Sequence, residues 1–369
     1  MAMQEAFRSP VATRQRVRGA NLAPLRWIAG SLTAIALILS VVEGSLRLVE
    51  QGQYGRLAGF DPLSGLKWSP GSHWQGRTIN SRGYWDDEFA SRPRAGKFRV
   101  AALGGALTLS GTGDTNCLDR VERSVPGLDV FNFGLRQAGP REFVSQTALD
   151  VLEHRPDLVL LFIGVGSNDT APSSVVAASA WRDLRVVHYG MQLLRTAGSS
   201  RDATDTHSND PYERRLRRGV KQLDACRVPE SATRKDQWRA AAEHLDHVIN
   251  QCCRRDIELA LVVVPADFQL SASLRDALVR RSGGQASEYD FELPQRRWAR
   301  FAHERGVAVL DLLPSLRAAR ASVYLPDAAD FSQQGLELAS AALGDWLRAR
   351  YEPAINATAQ AALTPTGAE

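Results

Sequence analysis

Five short, continuous apolar runs constrain this chain most: 98–103 (FRVAAL), 128–133 (LDVFNF), 157–164 (DLVLLFIG), 257–264 (IELALVVV) and 307–312 (VAVLDL). Runs that do not alternate with polar residues suit strands buried on both faces, as in a parallel sheet covered by helices. Longer stretches with helical spacing lie between and after them, at 141–154, 236–253, 293–306 and 332–351. The pattern predicts a flavodoxin-like, doubly wound, five-stranded parallel α/β sheet over 97–352. At 369 residues and 44% hydrophobic, the chain has material for that core. Ligands of such sheets gather outside the carboxyl ends of the strands. The positions to weigh are therefore 104–106, Gly134, 164–169, 265–266 and the loop leading to Asp330.

Ahead of the sheet, residues 27–42 carry no charge. That is short of the roughly 20 apolar residues a spanning helix needs. Extending to Val49 supplies the span and includes Glu43 and Arg47, four apart and able to pair on one helix face. Arg8, Arg14, Arg16, Arg18 and Arg26 precede it, which places the N-terminus in the cytoplasm. No small-x-small cleavage site follows, which argues against a removed signal peptide. The expectation is a disordered 1–26, a single inner-membrane anchor at 27–49, an irregular lead-in at 50–96 and an extracytoplasmic domain. The tail 353–369 reads as unstructured. The net charge of +4 is modest, with no aromatic-interleaved basic run and no zinc-type cysteine spacing, so nucleic acid is not the expected partner. In an oxidising compartment the four cysteines allow a disulfide, with Cys226 to Cys252 or Cys253 the favoured bridge over plain thiols, and Cys117 left apart. The interval 169–236 reads as a helical insertion (179–198) and then a mobile polar loop.

The glycine-rich stretch after the first run, GGALTLSGTGD, has no lysine after its second glycine and lacks G-x-G-x-x-G spacing. Neither a P-loop nor a dinucleotide fingerprint fits, and no cofactor is expected. Read together, the strand ends resemble the SGNH (GDSL) hydrolase superfamily, in particular its membrane-anchored bacterial branch associated with envelope polysaccharides. The anchor ending VVEGSLRLVE and the lead-in TINSRGYWDDEF carry part of the likeness. The first block aligns with Gly104, Gly105, Ala106, Leu107 and Thr108, and the second with Gly134. The third, GxND, stands as Gly166, Ser167, Asn168 and Asp169, and the fifth runs from Asp327 through Asp330 to Gly335.

The departures change what the resemblance implies. The family's nucleophilic serine falls on Ala106, its general-base histidine on Asp330, and the acid of its first block on Gly105. What remains is the oxyanion-stabilising half: backbone N–H groups near Ala106 and Gly134 and the Asn168 amide, with Asp327 to orient a histidine that is absent. A triad needs an attacking oxygen and a base for its proton. Removing either costs on the order of 10⁶ in rate. Thr108 and Ser110, the latter expected in the first turn of the next helix, are the displaced nucleophiles to consider. His244 and His247 lie three apart on one helix without a third ligand, His303 sits near a helix C-terminus, and His73 and His188 have no assignable place. Asp327 and Asp330, with Asn168 and Asp169 near in such a fold, form a carboxylate pair suited to acid–base work or a hard cation, or a plain remnant of the lost histidine. The expectation is an inactive SGNH-type protein of envelope or exopolysaccharide assembly that binds a glycan or acyl chain or scaffolds biosynthetic partners. The alternative is an esterase or polysaccharide O-acyltransferase using displaced groups.

Overall fold

The computed structural model describes residues 33–34, 37–45, 59–61, 65–68, 70–90, 94–105, 107–113, 115–135, 138–166, 210–319, 322–326 and 330–363. Two small hairpins come first, β1 (Gly59–Asp61) with β2 (Gly65–Lys67) and β3 (His73–Trp74) with β4 (Arg77–Thr78). The main sheet follows with β5 (Phe98–Leu103), β6 (Leu128–Asn132), β7 (Leu158–Gly164), β8 (Glu258–Val264) and β9 (Ala308–Asp311). Its order is β6-β5-β7-β8-β9 and every neighbouring pair is parallel. The five apolar runs therefore became the five strands, within a residue or so at each end. The chain leaves β5 to one side for β6 and crosses back to β7, so the topological switch, where ligands of such sheets gather, lies between β5 and β7.

Alternation along β5 divides the core. Ala101 and Leu103 face a layer with Leu245 and Trp298, while Val100 and Ala102 face one with Leu343 and Leu347. The helix Cys117–Ser124 starts where the Asn116 side chain accepts from Leu118 N–H. The last helix, Gln333–Leu363, corrects the expected unstructured tail at 353–369, since it continues past Pro353 as far as Leu363. Tyr351 and Ile355 are both buried in the second layer, and that packing carries the helix through its proline. The remaining tail residues lie outside those described.

The lead-in is folded onto the domain through side chains rather than long strands. Trp68 stacks on Trp74 at 4.7 Å, Trp74 meets Trp85 edge-on at 4.8 Å, and Ile79, Tyr84 and Trp85 are buried. Tyr84 donates its hydroxyl to Asp150 at 2.8 Å. At the other end, the lead-in reaches a wholly buried ion pair between β5 and β6 through the Ala90 carbonyl and Arg94. Arg99 meets Asp129 at 2.9 Å, donates to the Ala90 and His154 carbonyls, and lies over the Phe131 ring.

Within 169–236 the structure departs from a mobile loop. Residues 211–213 of the expected loop already belong to the helix Pro211–Leu223, capped by Asp210, and the helix Ala232–Cys253 begins before residue 236. The expected helix at 179–198 lies outside the described residues. The favoured disulfide is not formed. All four cysteines are thiols, and Cys226 and Cys252 are buried in separate apolar clusters, so a bridge would require both to leave their packing. Of the expected anchor, residues 33–34 and 37–45 are helical, with Leu37, Ile38, Leu39, Val41 and Val42 exposed. Among the described residues no helix is long and apolar enough to cross a membrane.

Candidate active site at the strand ends

The turn after β5 is built from backbone hydrogen bonds and two amide side chains. Thr108 donates its hydroxyl to the Gly105 carbonyl at 2.9 Å, and Leu109 N–H reaches the same carbonyl at 3.2 Å. Asn116 donates to the carbonyls of Thr108 and Ser110, and Asn132, from the end of β6, donates to the Thr108 carbonyl at 2.8 Å. Leu135 N–H closes onto the Gly104 carbonyl at 2.9 Å, which ties the second block to the first. Gly104 is forced, because an added Cβ would stand 2.7 Å from the Phe162 Cβ. Among the described residues nothing forces Gly105, whose Cβ would meet the Ala138 and Leu135 carbonyls at 3.7 and 3.9 Å.

Gly134 behaves differently from what its alignment implies. Its N–H donates to Asn132 Oδ1 at 2.9 Å. An oxyanion hole requires a preorganised donor aimed at the position where charge develops, and this one is already engaged within the protein. A side chain at 134 is excluded as well, with the Thr108 hydroxyl 2.3 Å and Asn132 Oδ1 2.7 Å from an added Cβ. Gly134→Ala is expected to lower stability by about 1–3 kcal/mol through overpacking. A urea titration of the variant against the parent measures it, and an unchanged midpoint would count against this packing.

Asn132 itself is held from beneath by the lead-in. Its N–H donates to Asp86 Oδ2 at 2.7 Å, and Asp86 Oδ1 accepts from Asp87 N–H with Arg77 3.5 Å away. Burial pushes the Asp86 carboxyl up to about 8, against the pull of the Asn132 N–H and Arg77. Arg77 also meets Asp119 at 3.1 Å, and burial raises that carboxyl too. The hairpin carrying Arg77 reaches the turn directly, since Gly113 N–H donates to the Gln75 carbonyl. These props, Arg77, Asp86, Asn116 and Asn132, were not singled out from sequence. Only the DD step of the lead-in hinted at them, without showing that Asp86 lies under β6.

The fifth block reaches the first. Phe331 N–H donates to Ser110 Oγ at 3.3 Å, so residues 330–332 lie against the turn after β5. Asp330, half-buried, is the residue delivered there, and its carbonyl accepts from Leu325 N–H. Ser110 lies in the loop ahead of the helix Cys117–Ser124 rather than in its first turn, and both Ser110 and Thr108 are wholly buried. Neither hydroxyl is presented to a substrate. Of the third block, Gly166 is described and packs against Gln222, whose Cγ would be 3.1 Å from an added Cβ. Ala106, Ser167, Asn168, Asp169 and Asp327 lie outside the described residues. His247 bonds the Glu243 carbonyl on an exposed helix face, and His303 occupies the last turn of the helix Leu293–Glu304. Among the described residues no three His, Cys, Asp or Glu side chains gather to hold a metal. A cavity of about 730 Å³ opens where the strands begin, lined by Phe98, Pro156, Asp157, Ile257 and Tyr351, with no motif residue in it.

No model of a known protein family matches the chain, and no curated protein matches it. Solved structures similar to it are GDSL lipolytic hydrolases and acetyl xylan esterases. An acetyl xylan esterase has TM-score 0.40 and 12% identity, over 68% of this chain and 99% of that one. The lipase/acylhydrolase from Enterococcus faecalis has TM-score 0.38 and 15% identity, over 68% and 96%. A member of the lipolytic protein G-D-S-L family from Veillonella parvula has TM-score 0.36 and 10% identity, over 67% and 96%. These are likenesses at low identity, and the functional reading rests on the residues.

Proposed function

We propose that the chain is a membrane-anchored protein of the SGNH (GDSL) hydrolase type that has lost esterase chemistry. On this reading it works in envelope or exopolysaccharide assembly, binding a glycan or acyl chain at the strand ends or holding partner proteins there. Residues 27–49 anchor it in the inner membrane and the α/β domain is extracytoplasmic. The order of the four aligned blocks along the chain and the sheet's strand order support the family. The exposed apolar side chains at 37–42 support the anchor.

The observation that carries the loss of catalysis is the hydrogen bond from Gly134 N–H to Asn132 Oδ1. It engages an oxyanion donor of a site whose sequence already puts a methyl at 106 and a carboxylate at 330. A carboxylate is a far weaker base than imidazole near neutral pH. Burial of Thr108 and Ser110 removes support from displaced nucleophiles. The purified full-length protein is expected to resist labelling by a fluorophosphonate probe that labels an active serine esterase in the same tube. Stoichiometric labelling mapped to Ser110 or Thr108 would overturn the reading in favour of an esterase or O-acyltransferase.

A further inference from the structure

The lead-in grips the turn after β5 through one crowded charge cluster. Arg77, on β4, lies 3.5 Å from Asp86, 3.1 Å from Asp119 and 3.6 Å from Asp87. The Asp86 and Asp119 side chains are 9% and 18% exposed, while Asp87 is 87% exposed and screened by water. The inner set is therefore two carboxyls around one guanidinium. Arg123 and Glu122, on the helix Cys117–Ser124, act on Asp119 with opposite signs, and β6 adds the neutral Asn132 N–H. The same residues prop the strand-end loops. Asp86 Oδ2 accepts the Asn132 N–H at 2.7 Å, Asn132 in turn holds the Thr108 carbonyl and the Gly134 N–H, and the Gln75 carbonyl holds the Gly113 N–H. Lifting the hairpin would hydrate both carboxyls and take the prop from Asn132.

We infer that the lead-in is a proton-dependent clamp on the strand-end loops: the Arg77–Asp86–Asp119 cluster takes a proton from water as the hairpin docks and returns it as the hairpin lifts. One guanidinium balances one carboxylate, and a second carboxyl kept from water beside it is favoured as the neutral acid. Burial raises both carboxyls, Asp86 to about 8, and the N–H groups of Asn132 and Asp87 and the Arg77 charge oppose that rise without cancelling it. In water an Asp side chain loses its proton near about pH 4. The docked state therefore holds more protons than the lifted state between about pH 4 and 8. Docking is strongest in acid, weakens by roughly tenfold per pH unit across that window, and levels off above it. The clamp is independent of what the strand ends bind.

The test is backbone hydrogen exchange of the full-length protein, followed by mass spectrometry from about pH 5.5 to 9 and read as protection factors with intrinsic exchange rates removed. Peptides covering 70–90 are expected to lose protection by roughly tenfold per unit up to about pH 8 and little beyond, and to stay below the protection of 258–264 throughout. Asp86→Asn, which cannot ionise, is expected to flatten that fall to within about threefold over the whole range. Asp87→Asn, at the exposed carboxylate, keeps the parent's slope. Should Asp86→Asn not fold, Asp119→Asn decides the matter, since removing the negative charge beside Asp86 is expected to end the fall at a lower pH. Flat protection at 70–90 in the parent, a slope that survives Asp86→Asn, or a profile that Asp119→Asn leaves unmoved overturns the inference. Equal protection at 70–90 and 258–264 overturns it as well, because the domain then opens as one piece.

Discussion

Gly105→Asp, Ala106→Ser and Asp330→His, placed together in one chain, are expected to create turnover of p-nitrophenyl acetate that the parent lacks. Among the described residues Gly105 has room for the new carboxylate, because its Cβ would make only ordinary contacts with them. The Phe331 to Ser110 hydrogen bond keeps position 330 beside the turn, and Asp327 stands in the sequence where the histidine's orienting acid belongs. A full triad is worth on the order of 10⁶ in rate. One missing oxyanion donor costs about 10²–10³. With Gly134 N–H bonded to Asn132, the gain is therefore expected near 10³–10⁴ rather than the full value. A gain approaching 10⁶ would mean that the Gly134 donor is free to turn, and no gain would remove the alignment on which the reading depends.

Asp129→Ala is expected to cost about 3–5 kcal/mol, the largest stability loss among the described ion pairs, because it strands a charge in the core. Arg99 is 1% exposed and Asp129 2%. Arg94 also approaches Asp129, at 3.3 Å, from the end of the lead-in. With the carboxylate gone, the guanidinium loses Asp129 and keeps neutral partners such as the Ala90 and His154 carbonyls and the Phe131 ring. The paired replacement Arg99→Met with Asp129→Leu is expected to recover most of the loss, since it removes the charges together. Equilibrium urea unfolding of the single and double variants measures both effects. A single-variant loss under about 1 kcal/mol would mean that water reaches this pair.

The lead-in does more than its irregular composition suggested. It underpins the site through Asp86 and Asn132, clamps the turn through Gln75 and Gly113, and fastens to the base of the sheet near Arg99. None of these contacts leaves a periodic signal. Asp86 meets Asn132 and Gln75 meets Gly113 across long stretches of chain by single hydrogen bonds, and no local pattern marks such a pair.

Strand identity was settled by sequence because burial on both faces demands unbroken apolar runs of strand length, a requirement written locally at 98–103 and 157–164. That position 106 offers no attacking oxygen is written there too, since alanine has none in any fold. Tertiary structure alone decided that the Gly134 N–H turns inward, that Ser110 is sealed beneath the 330–332 segment, and that the last helix runs past Pro353. It also decided that Asp86 and Asp119 share the Arg77 guanidinium. Those outcomes depend on which distant groups meet, and the free energy of such meetings is set by packing and hydrogen bonding between segments rather than by the preferences of either one.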